Sequence, residues 1–145
     1  MEKALKSKSR RPNDTNILPL SGVGRVPPQA VELEEAVLGA LLIDRDALSK
    51  VIDILSSESF YVDGHKKIFE VITQLFGDSD PIDILTVSQR LKKEGELNNI
   101  GGEAKLIGLS TRVSSSAHIE FHARIVVQKH IQRELIRISH NMIEQ

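Results

Sequence analysis

Residues 27–44 read PPQAVELEEAVLGALLID, and this stretch decides where the folded part of the chain begins. Its apolar residues recur at helical spacing, which predicts an amphipathic helix. The residues of the predicted apolar stripe are Leu33, Val37, Ala40 and Leu41. Proline suits the first turn of a helix, because its missing N–H would have no partner there. Glu32, Glu34 and Glu35 fall in or near that turn, where the helix dipole favours negative charge.

The chain before this helix has a different composition from the chain after it. Residues 1–25 carry six basic and two acidic residues, a net charge of +4, whereas the remaining residues carry 13 basic and 18 acidic residues, a net charge of −5. Four of the five prolines lie within the first 28 residues. A polar segment without periodic apolar residues does not form a packed core. We therefore predict a disordered basic tail over residues 1–26 and a helical domain over residues 27–145.

Helical periodicity continues through the rest of the chain. Asp63 and Asp83 are predicted to cap the third and fourth helices, and Gly95 is predicted to end the fourth. The serines at 114–116 are predicted to form a turn and to cap a final helix that begins at about Ala117. No segment shows the alternation that is typical of a strand, so the predicted fold class is all-α.

The final helix is predicted to project from the domain. Its 29 residues contain no glycine or proline, and at about 1.5 Å per residue they would extend for about 43 Å. Its apolar positions are Ile119, Ile125, Val126, Ile131, Leu135, Ile138 and Met142. A projecting apolar stripe requires cover from another helix or another subunit. We predict a globular head at about residues 27–100 and a C-terminal helical hairpin at about residues 101–145.

The sequence argues against several kinds of chemistry. The chain has no cysteine, which excludes disulfides and thiolate metal sites. It contains no phosphate loop, no apolar run near the roughly 18 residues of a membrane span and no signal-peptide core. We therefore expect a cytoplasmic protein with no catalytic residue, no metal site and no cofactor in this chain.

The sequence leaves two alternative functions open. His118 and His122 have a spacing found in metal sites, which would suit a metal-dependent enzyme, but Ile119 stands where the His-Glu-x-x-His motif needs glutamate. The other alternative is a small helical DNA-binding protein that contacts phosphates through its basic tail. The acidic folded part and an aromatic content of only 3% do not favour that function. A metal titration and a tail deletion would test the two alternatives.

The chain from Val26 onward resembles the N-terminal domain of the bacterial replicative DNA helicases, the DnaB family. The matching blocks, in the family's order and spacing, are PPQAVELEEAVLGALLID, ALSKVIDILSSESFYVDGHKKIFEVITQLF, PIDILTVSQRLKKEGELNNIGG and AHIEFHARIVVQK. Three positions depart from the family pattern. Ser114 replaces a usual proline, His118 a usual asparagine and His122 a common tyrosine.

The resemblance implies a parent protein that is a ring-shaped hexameric helicase driven by ATP at the replication fork. Its RecA-like motor, which would hold ATP and magnesium, would follow this chain and is not part of it. In the family, helical hairpins pair between subunits to form a collar that binds primase and, in some lineages, other partners such as a helicase loader. Single-stranded DNA would be bound by the full-length ring.

The resemblance and the apolar pattern together give six candidate residues for contacts with primase or with another subunit. They are Ile119, Ile125, His122, Val126, Leu106 and Leu109. In this family, primase contacts fall at positions that correspond to Ile119 and Ile125. Ordinary packing within the hairpin is the alternative role for each apolar residue, because such residues are usually part of a core.

Overall fold

The computed structural model describes residues 26–144, and these form seven α-helices, one 3₁₀ turn and no strand. The helices are α1 (Val31–Ile43), α2 (Ala47–Val51), α3 (Asp63–Gly77), α4 (Ile84–Lys93), α5 (Leu97–Ile100), α6 (Gly102–Thr111) and α7 (Ile119–Ile143). The 3₁₀ turn, Ser57–Ser59, lies between α2 and α3. The predicted all-α class is confirmed. The predicted disordered tail lies, apart from Val26, outside the described residues.

Helix α1 is the centre of the fold. It contacts α2, α3, α6 and α7, and its apolar side chains from Val37 to Leu42 are at most 5% exposed. A helix that is buried around most of its circumference is a core helix, so α1 is not the amphipathic helix that the sequence predicted. The helix also begins at Val31 rather than at the prolines, because the Ala30 carbonyl accepts the first helical hydrogen bonds.

Helices α1 and α6 cross at very short range. A Cβ atom added to Gly39 would overlap the carbonyl oxygen of Leu109, so only glycine permits this approach without a shift. The Glu35 carboxylate on α1 pairs with Lys105 Nζ at 2.9 Å and also with Arg112. These contacts join α6 closely to the central helix.

The packing of α6 corrects the predicted domain boundary. Helix α6 contacts α1, α4 and α5, whereas α7 contacts α1, α2 and the 3₁₀ turn. Among the described residues, α6 and α7 share no comparable contact, so they do not form a hairpin with each other. The physical reason is that α6 and α7 each pack their apolar residues against α1. Helix α6 therefore belongs to the head, and only the end of α7 leaves it.

Two of the predicted helix boundaries in the middle of the chain are confirmed. The Asp83 carboxylate accepts a hydrogen bond from the Thr86 N–H at 2.9 Å, and the Thr86 hydroxyl oxygen accepts one from the Asp83 N–H at 3.0 Å. This reciprocal pair is a capping box that satisfies two free backbone donors. Gly95, with a φ of +73°, follows the end of α4 as predicted.

Two predicted caps were wrong. Asp63 is the first residue of α3 instead of its cap, and its side chain is solvent-exposed and caps no backbone N–H. The serine turn does not cap the final helix, which begins at Ile119 after His118. The Ser116 hydroxyl instead donates a hydrogen bond to the Asp44 carboxylate, and this bond joins the turn before α7 to the end of α1. The short helix α5 was not predicted.

Candidate partner interface on the last helix

Four of the six candidate interface residues lie inside the head. Leu106, Leu109, Ile119 and Val126 are at most 2% exposed, because α6 and the first half of α7 turn these side chains toward the core around α1. They have no free surface to offer a partner unless the core rearranges. His122 and Ile125 are half-buried, so their assignment as contact residues stays a prediction.

The last helix has a second part that leaves the head. We call residues 135–144 the distal segment, and every one of them is exposed. Its large apolar side chains are between 46% and 72% exposed, and they are Leu135, Ile136, Ile138, Met142 and Ile143. Scattered exposed apolar residues are normal on a protein surface, but a contiguous patch marks an interaction site. The predicted projection of the last helix is present here.

Part of this apolar surface forms a regular line. Ile131, Leu135, Ile138 and Met142 are separated by four, three and four residues, which places them on one side of α7. We call these four residues the apolar stripe. The same spacing of three and four residues is used by helices that pack lengthwise against another helix. The stripe is therefore shaped to receive a helix.

A polar junction holds α7 to the head just before the distal segment. The Arg133 guanidinium donates hydrogen bonds to the Pro28 carbonyl at 2.8 Å and to the Ser59 carbonyl at 3.0 Å, and it lies 5.4 Å from the centre of the Tyr61 ring. These four residues form what we call the Arg133 junction. Sequence reasoning missed it, because α7 carries three arginines and nothing in the sequence distinguishes Arg133 from Arg124 and Arg137.

The Tyr61 end of the junction is fixed by a buried carboxylate. Glu34 is 1% exposed, and it accepts hydrogen bonds from the N–H groups of Tyr61 at 2.8 Å and Val62 at 3.3 Å. The same carboxylate is hydrogen-bonded to Nδ1 of the buried His65 at 2.9 Å. Glu34 lies in the first turn of α1, as predicted, but its carboxylate is buried in this hydrogen-bonded network.

Several ionisable groups outside this network have shifted pKa values. Hydrogen bonds from the Ser116 hydroxyl and the Asp46 N–H lower the pKa of Asp44. A hydrogen bond to Glu94 raises the pKa of Lys67. On α7, the hydrogen-bonded pair of Arg137 and Glu134 lowers the pKa of the carboxyl and raises that of the guanidinium. Each shift follows from a surface ion pair or hydrogen bond, and none of them identifies a catalytic group.

The geometry of His118 and His122 gives no support to a metal site. Their ring centres are 6.3 Å apart, and within residues 26–144 no cluster of three or more His, Cys, Asp or Glu side chains could hold an ion. None of the helices in this described range is both long and apolar enough to span a membrane. The DNA-binding alternative depends on the basic tail, which lies outside the described residues.

Comparison with known proteins agrees with the resemblance seen in the sequence. The family model described as "DnaB-like helicase N terminal domain" matches residues 26–128. The replicative DNA helicase DnaB of Rhodothermus marinus is 48% identical over 110 residues, which cover 76% of this chain and 12% of that protein. The corresponding protein of Geobacillus stearothermophilus is 40% identical over 115 residues, which cover 79% of this chain and 25% of that protein.

A solved structure gives the same answer for the fold. The crystal structure of the N-terminal domain of DnaB helicase from Mycobacterium tuberculosis matches with a TM-score of 0.80 and 32% sequence identity, covering 82% of this chain and 83% of that one. The chain spans a quarter or less of the length of the two DnaB relatives described above. The family model, the relatives and the helical architecture agree, and this chain belongs to the DnaB-like helicase N-terminal domain family.

Proposed function

We propose that this chain is the assembly and docking domain of a hexameric replicative DNA helicase and that it performs no catalytic step itself. The observation that carries the proposal is the exposed apolar stripe on a helix that leaves the head. The names of the relatives support a parent protein that unwinds DNA during bacterial replication. In that parent, ATP and magnesium would be bound by a motor domain beyond this chain, in the cytoplasm at the replication fork.

Self-association is the first part of the proposed function. Fully burying one large aliphatic side chain stabilises a complex by about 1.5–3 kcal/mol, and the four stripe residues are between 46% and 72% exposed. Covering the stripe would then contribute about 3–6 kcal/mol per chain. Because association costs about 4–15 kcal/mol, a dimer of this chain alone should be weak. Full-length subunits in a ring would add contacts and hold the stripes at high local concentration.

A concentration series on a size-exclusion column with light scattering tests this part. The mass of the 145-residue chain should rise with concentration, and a variant with Leu135→Glu and Ile138→Glu should remain a monomer. Asn141→Glu is the matched control, because it adds a negative charge to the same turns on another side of the helix. A chain that is monomeric at every concentration, or a stripe variant that associates like wild type, would contradict self-association through the stripe.

Docking of primase is the second part of the proposed function. The half-buried residues His122 and Ile125 adjoin Phe121, which is 65% exposed, so the first turns of α7 offer some apolar surface outside the core. The position of Ile125 in the family pattern supports primase as the partner. A helicase loader is a further candidate partner, and single-stranded DNA would be bound only by the complete ring.

Titration with the helicase-binding domain of the cognate primase tests the docking role. We expect a stoichiometric complex with the wild-type chain and a large loss of affinity for Ile125→Asp. The control is Ile107→Asp, which makes the same chemical change at a half-exposed position on α6, away from α7. Equal weakening by both variants, or by neither, would count against docking at Ile125.

A further inference from the structure

We infer that Arg133 is a positioning residue that sets the direction in which the distal segment leaves the head. The anchoring itself can be measured on the isolated chain, whereas its consequence for ring assembly rests on the proposed function. The inference starts from the observation that Arg133 contacts three other parts of the chain at the point where α7 becomes exposed.

Arg133 is the last side chain of α7 with a polar contact to another element in the described part of the chain. The fully buried residues of the helix, Ile119, Ala123 and Val126, all precede it. After Arg133, the side-chain hydrogen bonds that α7 makes with described residues stay within the helix, as in the pairs of Arg137 with Glu134 and of Ser139 with Leu135. Loss of the junction would therefore move the last firm attachment back toward Val126.

The expected displacement of the distal segment depends on the length of α7 beyond its last attachment to the head. Asn141 lies eight residues beyond Arg133 and 15 residues beyond Val126. At about 1.5 Å per residue, the arm from the last attachment to residue 141 would lengthen from about 12 Å to about 22 Å. The same angular motion at the attachment would then displace residue 141 about twice as far.

The chemistry of the junction requires an arginine. Its two terminal nitrogens donate to carbonyls from two separate segments, Pro28 before α1 and Ser59 in the 3₁₀ turn. The guanidinium also lies over the Tyr61 ring. A lysine ammonium is a compact point charge, so it cannot reproduce the planar fork that makes these contacts together.

Hydrogen bonds from the core hold the Tyr61 side of the Arg133 junction in place. Glu34, which belongs to the central helix α1, holds the backbone N–H groups of Tyr61 and Val62. The aromatic ring under Arg133 is thus attached to the least exposed part of the fold. Through Pro28, the same guanidinium also joins the segment that enters α1 to the helix that ends the described chain. These contacts therefore fix the direction of α7 relative to the core.

Pulsed electron paramagnetic resonance tests the inference. The chain has no cysteine, so spin labels can be attached specifically at Gln89→Cys on α4 and Asn141→Cys on the distal segment. At protein concentrations where light scattering shows a monomer, Arg133→Met should widen the distance distribution about twofold relative to the parent double-cysteine chain. Arg137→Met is the matched control, because within residues 26–144 that guanidinium hydrogen-bonds only to Glu134 of the same helix, and the width should not change.

Circular dichroism and urea unfolding establish that the head of each variant is folded. If Arg133→Met does not fold, Arg133→Lys replaces it, and the expected result is a wider distribution in the same direction. An unchanged width in the folded variant overturns the inference. Because the distances are measured in the monomer, their outcome is independent of whether the chain self-associates or binds primase.

Discussion

Substitution of Glu34 by alanine is the most direct test of the buried network described above. In the folded protein this carboxylate is the acceptor for the N–H groups of Tyr61 and Val62 and for Nδ1 of His65. Alanine removes the acceptor and leaves all three donors in place. The variant should therefore be strongly destabilised, although the position reads in the sequence as an ordinary acid near the start of a helix.

The magnitude follows from the burial of each donor. A buried donor that loses its acceptor costs about 1–3 kcal/mol. The imidazole of His65 is fully buried, so the cost of leaving it without an acceptor should be near the upper end of this range, at about 2–3 kcal/mol. The two backbone donors lie at a half-buried turn that water can reach, and together they should add about 1 kcal/mol. The expected loss of about 3–4 kcal/mol is a large part of the roughly 5–15 kcal/mol that stabilises a typical domain.

Urea unfolding followed by far-ultraviolet circular dichroism measures this loss. At a slope of about 1.5 kcal/mol per molar urea, the midpoint should fall by about 2 M. Glu34→Gln should lose less, because the amide oxygen can still accept from one of the donors. The matched control is Glu32→Ala, an exposed acid in the same turn, which should cost less than about 1 kcal/mol. Equal losses for Glu34→Ala and Glu32→Ala would refute the reasoning.

Two further predictions concern the helix crossing and the turn before α7. Gly39→Ala should cost about 1–3 kcal/mol of unfolding free energy, because the new methyl group meets the Leu109 carbonyl. In contrast, the methyl group of Gly108→Ala would meet no atom within 4 Å in the described part of the chain, so this variant should gain about 0.5–1 kcal/mol of unfolding free energy. Equal urea midpoints for the two variants would contradict the close crossing. Because the pKa of Asp44 is lowered in the folded state, its stabilising effect is complete above the unfolded pKa and disappears as the pH falls through the folded pKa. Ser116→Ala should raise the pKa of Asp44 in a carbon-detected NMR titration and destabilise the chain at neutral pH but not in strong acid, and an unchanged pKa would exclude the hydrogen bond as the cause.

The features that could be predicted from the sequence are those that depend on neighbours within a turn or two. Asp83 and Thr86 of the capping box are three positions apart, and the glycine at 95 follows the last turn of its helix. Such interactions form as soon as the local backbone is helical, so their residue types and spacing are sufficient evidence. Asp63 shows the limit, because a residue that can cap a helix also tolerates a place inside its first turn.

The candidate site could be predicted only in part. The continuous helical pattern of the last 29 residues indicated correctly that a helix leaves the head with apolar residues exposed. The Arg133 junction was missed, because Pro28 is 105 positions away and the contact is to a backbone carbonyl. The pairing of Glu34 with His65 was missed for the same reason, since 31 residues separate them.

The sequence by itself determined the all-α class, the approximate limits of most helices and the family, since these depend on the order and periodicity of apolar blocks. Only the tertiary structure decided which apolar residues are core and which are surface. On α7, Val126 is fully buried and Ile138 is half exposed, although both continue the same apolar pattern. The physical reason is that burial depends on which element packs against each face of a helix. Periodicity identifies an apolar face, but it does not identify what covers that face.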